Sequence, residues 1–144
     1  MAETSTTTGQ LQVRLVTPDR VLLDATADAV ELPSASGYLE ALYGAAPLLA
    51  ELGAGEVRLH GGTSGDKKFF VAWGFVEVLS ERVTILAETA LPPEDIDRAE
   101  AEAELQVGQK MWTEAGDDGT KYDEANEITR EAEAKIASSE GKAV

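Results

Sequence analysis

The segment LPPEDID, residues 91–97, marks the point where the hydrophobic period of the chain changes from that of strands to that of helices. Two consecutive prolines end the upstream pattern, because proline has no backbone N–H to offer a sheet. Pro93 suits the first turn of a helix, and the three acids that follow it place negative charge where the helix dipole favours it. The segment therefore separates a β-region from a helical region.

Upstream of this segment, residues 11–90 contain short runs of β-type sequence separated by turn residues. Apolar and polar residues alternate in LQVRLV (11–16), and the run FFVAWGFVEVLS (69–80) is rich in β-branched and aromatic residues. Gly74 inside that run indicates a bulge or a close backbone approach. Eight to ten short strands without a crossover helix predict an antiparallel β-sandwich or flattened barrel.

Downstream, residues 91–144 predict an antiparallel helical hairpin, so that the fold class is α+β. Each helix has a thin apolar stripe in which two of five residues are alanine, and the first comprises Ile96, Ala99, Ala103, Val107 and Met111. The second stripe comprises Tyr122, Ala125, Ile128, Ala132 and Ile136. Between them, Gly116 is a candidate C-cap and Thr120, with Asp123, a candidate N-cap in a capping box. Burying alanine contributes little, so we expect a marginal hairpin that docks weakly on the sandwich.

The net charge of −15 limits the classes of partner. Such an acidic chain repels phosphates, which argues against nucleic-acid binding and against anionic lipid surfaces. The longest apolar or glycine run, 41–50, has about half the length of a membrane span, so no direct membrane insertion is expected. The chain has no cysteine, which excludes disulfides and thiol chemistry. We expect residues 1–10 to be a disordered lead-in without a secretory signal.

Catalytic and metal-binding patterns are weak. His60 is the single histidine, and a strand residue facing solvent is a better interpretation of it than a catalytic base. The acids of 94–104 cover most of a helix circumference, which favours a solvated face over a cation site. No phosphate loop or EF-hand spacing is present. The sequence therefore predicts no enzyme activity, no cofactor and no metal.

An interaction role is indicated by GYLEALYGAAPLLAEL, residues 37–52. Tyr38, Leu39, Leu42 and Tyr43 lie within six residues, beside a turn at Gly44. Aromatic residues clustered at loops are typical of interfaces, because a tyrosine offers a large apolar body and a hydroxyl that needs a partner. The alternative is that part of this cluster, Leu39 above all, belongs to the sandwich core.

The order of these motifs resembles the ε subunit of F-type ATP synthases, whose mitochondrial counterpart is called δ. The resemblance covers about residues 11–136 and is most specific in G-x-L-x-x-L-x-G-x-A-P-L-L at 37–49 and G-F-V-E-V-x-x-x-x-V-T-I-L-A-E-x-A at 74–90. It implies a ten-stranded sandwich at 11–90 that docks on the rotor, and a regulatory hairpin at 91–144.

The same resemblance implies a non-catalytic rotor subunit that links the γ subunit to the c-ring and couples proton flow to ATP synthesis. It further implies contacts with the α and β subunits of the catalytic head and a peripheral position on the cytoplasmic face of a bacterial plasma membrane. The residues it assigns to the c-ring and γ docking loop are Tyr38, Leu39, Glu40, Leu42, Tyr43 and Gly44. Those it assigns to the regulatory hairpin are Ile96, Asp97, Met111, Ile128, Arg130 and Lys135.

Departures from the family pattern weaken two of its regulatory features. The family often has Ile/Leu-Asp-x-x-Arg-Ala at the first helix, a motif tied to ATP binding, and here Glu100 stands in place of the arginine. We therefore predict weak or no ATP binding. Inhibitory second helices in the family are usually basic and face an acidic segment of the β subunit. Residues 120–144 are acidic here, so inhibition through attraction to that segment is not expected. An ATP-sensing module and a free-standing ligand-binding sandwich stay open as alternatives.

Overall fold

The computed structural model describes residues 9–141. These residues divide into two compact units, with the division between Leu91 and Pro92. Most of the predicted disordered lead-in and the last three residues lie outside the described residues.

The first unit is one seven-stranded sheet within the part of the chain that the structure describes. Its strands are β1 (Leu11–Val16), β2 (Val21–Ala27), β3 (Ala29–Ser34), β4 (Gly37–Leu42), β5 (Leu48–His60), β6 (Lys67–Val78) and β7 (Arg82–Leu91). The order across the sheet is β2-β1-β7-β6-β5-β3-β4. Seven strands replace the eight to ten that were predicted, because β5 and β6 are continuous over 13 and 12 residues.

All neighbouring strands pair antiparallel except β1 and β7, which run parallel. The antiparallel prediction is therefore wrong for this one pair. Local sequence patterns do not indicate this pairing, since about 70 residues separate Val13 from its partner Val83. The parallel pair lets the sheet continue from β7 to the hairpin formed by β1 and β2.

The sheet folds over on itself into a sandwich around a single core. Strands from opposite ends of the sheet order contribute to one cluster of buried side chains, which is possible only if the two ends face each other. The largest fully buried residues of this unit include Leu11, Leu15, Leu32, Leu59, Phe70 and Ile85. At roughly 1.5–3 kcal/mol for each buried apolar side chain, this cluster is the main stabilising element of the sandwich.

A kink in the middle of β6 confirms the close backbone approach predicted at Gly74. Gly74 has φ +124°, and a Cβ there would lie 1.9 Å from the carbonyl oxygen of Leu86 on β7. The preceding residue, Trp73, has φ 63° and is the one non-glycine residue of the described chain with positive φ. Both conformations are unfavourable for ordinary residues, so the surrounding strands must hold them in place.

The second unit is a helical hairpin. A 3₁₀ turn at Pro93–Asp95 precedes helix α1 (Arg98–Glu114), and helix α2 spans Gly119–Ser139. The carboxylate of Asp97 accepts from the backbone N–H of Glu100 and caps α1. Asp118, rather than the predicted Thr120, caps α2, because its carboxylate lies two to three residues before the N–H groups that donate to it.

The two helices pack through small residues, and this corrects the predicted stripe of α1. Ala99, Ala103 and Val107 are exposed, whereas Ala101 and Gly108 are buried. The buried residues of α2 are Ala125, Ala132, Ala134 and Ser138. Small side chains let two helix backbones approach closely, and a Cβ at Gly108 would lie only 2.4 Å from Oγ1 of Thr129 on α2. The second predicted stripe is confirmed, since each of its five residues is buried or half-buried.

Candidate functional site

The segment predicted to dock on a partner consists of an edge strand and the turn that follows it. Residues 38–42 lie in β4, which pairs with β3 and ends the sheet. Tyr38, Glu40 and Leu42 are exposed, Ala41 is buried, and Leu39 packs partly against the core. Strand alternation therefore settles the alternative left open for Leu39, which is a core residue at least in part.

Tyr38 is held in place from β5. The backbone N–H of Glu56 donates to the Tyr38 hydroxyl at 2.8 Å, and the Arg58 guanidinium lies 5.2 Å from the centre of the Tyr38 ring. Burial raises the pKa of Tyr38, which further favours the neutral hydroxyl that accepts from Glu56. The aromatic face on this edge is thus anchored rather than free to rotate.

Beneath Tyr38, Arg58 connects two carboxylates on neighbouring strands. Its Nε lies 3.1 Å from Oε1 of the buried Glu56, and its Nη1 lies 3.3 Å from Oε1 of Glu31. The same oxygen of Glu31 lies 3.2 Å from Nε2 of His60. Hydrogen bonds from His60 and then Arg58 lower the pKa of Glu31.

This charged cluster was missed by sequence reasoning. The alternation of Glu56, Arg58 and His60 along one strand face was visible in the sequence. The pairing that brings Glu31 opposite Arg58 depends on strand register, which the sequence does not reveal. The cluster fixes β3 against β5 and gives His60 a structural partner, in agreement with its interpretation as a strand residue.

The turn after β4 is tied to the loop between β6 and β7. The N–H of Gly44, at φ +88°, donates to the carbonyl of Ser80 at 2.7 Å, and the Tyr43 hydroxyl donates to Glu81 at 3.4 Å. Burial and the Glu81 charge raise the pKa of Tyr43. Leu42, Leu48 and Leu49, on either side of this turn, are 51%, 44% and 70% exposed. The turn is fixed by hydrogen bonds while its leucines face outward.

The hairpin residues singled out from the sequence lie in different environments. Ile96, Met111 and Ile128 are half-buried, and Arg130 is exposed. Lys135 bridges the helices through Glu104 at 3.2 Å and also pairs with Glu131 on its own helix. Burial lowers the pKa of Lys135, but the two carboxylates more than offset this, so its pKa lies above the ordinary value.

The start of α1 offers little to an anion. Arg98 is the base nearest to the altered motif, and it pairs with Glu102 and with Glu140 that follows α2. Both carboxylates would compete with a phosphate for the guanidinium, and Glu100 adds a further negative charge. Trp112 and Tyr122 close the other end of the hairpin in an edge-to-face contact with ring centres 5.6 Å apart.

Two further features bear on function. Among residues 9–141, no helix is both long and apolar enough to cross a membrane. Within the same residues, no three histidine or acidic side chains are grouped closely enough to hold a metal ion.

Comparison with known proteins gives a consistent set of relatives. Residues 10–93 match the family described as ATP synthase, Delta/Epsilon chain, beta-sandwich domain. The ATP synthase epsilon chain of Koribacter versatilis is 42% identical over 104 residues, which are 71% of this chain and 72% of that protein. That of Solibacter usitatus is 37% identical over 135 residues, or 92% of this chain and 97% of the relative.

A solved structure supports the fold. A chain in the OSCP/F1/c-ring part of the Euglena gracilis mitochondrial ATP synthase superposes with a TM-score of 0.74 at 19% identity. The superposition covers 90% of this chain and 81% of that chain. At this identity the likeness concerns the architecture of sandwich and hairpin.

Proposed function

Because this chain belongs to the ATP synthase delta/epsilon family, we propose that it is a non-catalytic rotor subunit of a proton-translocating F-type ATP synthase. In this role it links the γ subunit to the c-ring and transmits rotation between them. It would be a peripheral subunit on the cytoplasmic face of a bacterial plasma membrane. It would contact the α and β subunits of the catalytic head through its hairpin.

The observation that carries this proposal is the fixed turn with outward-facing leucines between β4 and β5. A loop that transmits torque must keep its shape, and two hydrogen bonds tie this turn to residues 80 and 81. Exposed leucines in a monomer are individually ordinary, but three of them around one ordered turn offer apolar surface for protein contact, with Leu48 and Leu49, as consecutive strand residues, on opposite faces of β5. We assign this turn to the c-ring contact.

The charge of the hairpin limits its proposed role. Its residues 92–144 hold 15 acids and 6 bases, so the net charge of the hairpin is −9. Like charges oppose its insertion beside an acidic segment of the β subunit. The proposal is therefore that the sandwich carries the coupling function and that the hairpin inhibits ATP hydrolysis weakly. An ATP-sensing hairpin is disfavoured, because Arg98 is already paired and Glu100 adds negative charge.

The test is ATP hydrolysis and proton pumping by the purified ATP synthase reconstituted with the full chain or with residues 1–90. We expect similar hydrolysis rates and retained proton pumping with both proteins. A several-fold rise in hydrolysis with the truncated protein would show that the acidic hairpin is a strong inhibitor, against the proposal. Loss of γ binding by residues 1–90, despite cooperative thermal unfolding, would show that the sandwich does not carry the docking function. Calorimetric titration of the full chain with millimolar ATP is expected to give no heat.

A further inference from the structure

One face of the edge strand β4 is exposed along its length and ends at the turn assigned to the c-ring contact. Tyr38, Glu40 and Leu42 share this face, since side chains two residues apart in a strand lie on the same side. Ala41, between two of them, is buried in the core. We call these three exposed residues the docking edge. At about 3.3 Å for each residue, the docking edge is roughly 13 Å long.

The charged cluster lies directly behind the docking edge in the sheet. Glu40 is paired across the strands with Glu31 of β3, and Glu31 is paired with Arg58 of β5. The neighbouring row runs from Leu42 across β3 to His60. Paired residues of neighbouring strands lie on the same face, so both rows lead from the docking edge into the cluster.

Arg58 is the centre of this arrangement, because its side chain contacts residues of three strands, its own included. Its Nε lies 3.1 Å from the Glu56 carboxylate, its Nη1 lies 3.3 Å from that of Glu31, and its Cζ lies 5.2 Å from the centre of the Tyr38 ring. The Nη2 atom is buried and has no hydrogen-bond acceptor among the described residues. Attraction to the ring face therefore offsets part of the hydration that the guanidinium has lost.

Tyr38 is fixed from two directions by this cluster and its strand. The backbone N–H of Glu56 donates to the hydroxyl at 2.8 Å, and the guanidinium lies against the ring. A Cβ at Gly55 would lie 2.6 Å from the same hydroxyl, so the glycine leaves the room that this oxygen occupies. A side chain that is 39% exposed would otherwise lose rotamer freedom on binding, which weakens association. The cluster thus preorganises the aromatic residue of the docking edge.

A charged network is a costly way to hold strands together. The side chains of Glu56 and Arg58 are only 1% and 19% exposed, so both charged groups have lost most of their water. Apolar side chains of similar volume often stabilise such a position at least as well as a buried ion pair, so stability alone does not explain the charges. Apolar side chains do not supply direction, whereas the planar guanidinium holds its partners at fixed angles.

We propose that Arg58 is a positioning residue for the c-ring contact. Its guanidinium, fixed by Glu31 and Glu56, holds the Tyr38 ring in the orientation in which the docking edge meets the c-ring. Because Arg58 is mostly buried, its effect on docking passes through Tyr38 rather than through a contact of its own. This assignment rests on the proposed function and adds a residue outside the docking segment.

The test uses membrane vesicles whose ATP synthase has been depleted of this chain, to which the full-length chain is titrated back. The readout is the concentration of added chain that restores half of the uncoupler-sensitive ATP synthesis, with binding to purified γ subunit measured in parallel. Arg58→Lys keeps the charge and removes the planar fork, Tyr38→Leu removes the ring, and a third protein combines both changes. Ile85→Ala, which opens a cavity in the core at β7, is the stability control.

We expect Arg58→Lys to raise the half-restoring concentration about fivefold and Tyr38→Leu to raise it about tenfold. In the Tyr38→Leu background, Arg58→Lys should add less than about a factor of two, because a residue that acts through the ring has nothing left to position. Ile85→Ala should lower the unfolding midpoint in urea at least as much as Arg58→Lys, yet change the half-restoring concentration by less than about twofold. Binding to γ should stay the same for all variants.

A second variant keeps the proposal testable if Arg58→Lys does not fold. Glu56→Gln combined with Arg58→Gln removes both buried charges, so no unpaired carboxylate is left in the protein, and it should also raise the half-restoring concentration about fivefold. An unchanged concentration for the folded Arg58 variants would show that Arg58 supports the fold alone. Multiplied effects of Arg58→Lys and Tyr38→Leu, or a parallel loss of γ binding, would also overturn the proposal.

Failure of the proposed function gives a different result. If the unchanged chain restores no ATP synthesis, or if the depleted vesicles synthesise ATP without it, the chain is not the rotor subunit. If the unchanged chain restores synthesis and Tyr38→Leu restores it at the same concentration, the docking edge does not meet the c-ring through Tyr38. Arg58 then loses its positioning role, although the rotor assignment stands.

Discussion

Replacing Gly74 by alanine tests whether the kink of β6 is a structural requirement of the sandwich. A Cβ at this position would lie 1.9 Å from the Leu86 carbonyl oxygen, whereas ordinary contact begins near 3.4 Å, so the strands must separate by about 1.5 Å. The φ of +124° adds roughly 1–3 kcal/mol of backbone strain for a non-glycine residue. Weakened backbone pairing between Gly74 and Ala87 adds about 1 kcal/mol for each hydrogen bond.

We therefore expect Gly74→Ala to lower the free energy of unfolding by about 3–5 kcal/mol, a large fraction of the stability of a typical domain. Gly65→Ala is the matched control, since Gly65 has φ +73° but no atom within 4 Å of the position that a Cβ would take. That change should cost only the 1–2 kcal/mol or so of a left-handed alanine.

The assay is urea unfolding followed by tryptophan fluorescence. The chain has two tryptophans, Trp73 in the sandwich and Trp112 in the hairpin, so Trp112→Phe leaves a probe of the sandwich alone. Both glycine variants are compared in that background. If Gly74→Ala costs no more than Gly65→Ala, the close approach to β7 does not constrain the kink, and the reasoning from its geometry is wrong.

Two further changes test the helix seam and the charged cluster. Gly108→Ala should lower the thermal midpoint of the hairpin, measured by circular dichroism. Overpacking against Thr129 costs about 1–3 kcal/mol, which exceeds the gain of about 1 kcal/mol in helix propensity. Gly119→Ala, which has open space around it, should not lower the midpoint, and equal midpoints for the two variants would refute a close seam. The pKa of Glu31 is lowered from 4.5, so its charged form stabilises the fold above about pH 4.5 and this contribution is lost as pH falls further. Because solvent screens this partly exposed pair, Glu31→Gln should destabilise the protein by only about 1 kcal/mol at pH 7 and by less at about pH 3, as measured by urea unfolding at both values; a pH-independent difference would contradict the role given to its charge.

The fold class could be predicted because strand alternation and helix spacing are local patterns. The β-region, the hairpin and the close approach at Gly74 could all be read from neighbouring residues. The parallel pairing of β1 with β7 could not, since it joins distant segments. The seam of α1 was misassigned because apolar spacing gives the helical period but does not fix which face meets the other helix, and the buried Ala101 and Gly108 lie off the predicted stripe.

The candidate site was only partly accessible from sequence for the same reason. The aromatic and leucine cluster at residues 38–44 was found through its composition. Leu48 and Leu49, which follow the turn, lie within the same stretch, residues 37–52. The exposed apolar row of Phe75, Leu86 and Val16 on β6, β7 and β1 depends on the register of several strands. Each of these residues alone is an unremarkable apolar strand residue, and only the paired sheet shows that they form a row.

The most direct test of the rotor assignment is proton-driven ATP synthesis in membrane vesicles whose ATP synthase has been depleted of this chain. Adding back the full-length chain should restore ATP synthesis that an uncoupler abolishes, while a variant carrying Leu42→Gln, Leu48→Gln and Leu49→Gln should restore much less. Vesicles that synthesise ATP equally well without the chain, or that gain nothing from its return, would contradict the rotor assignment.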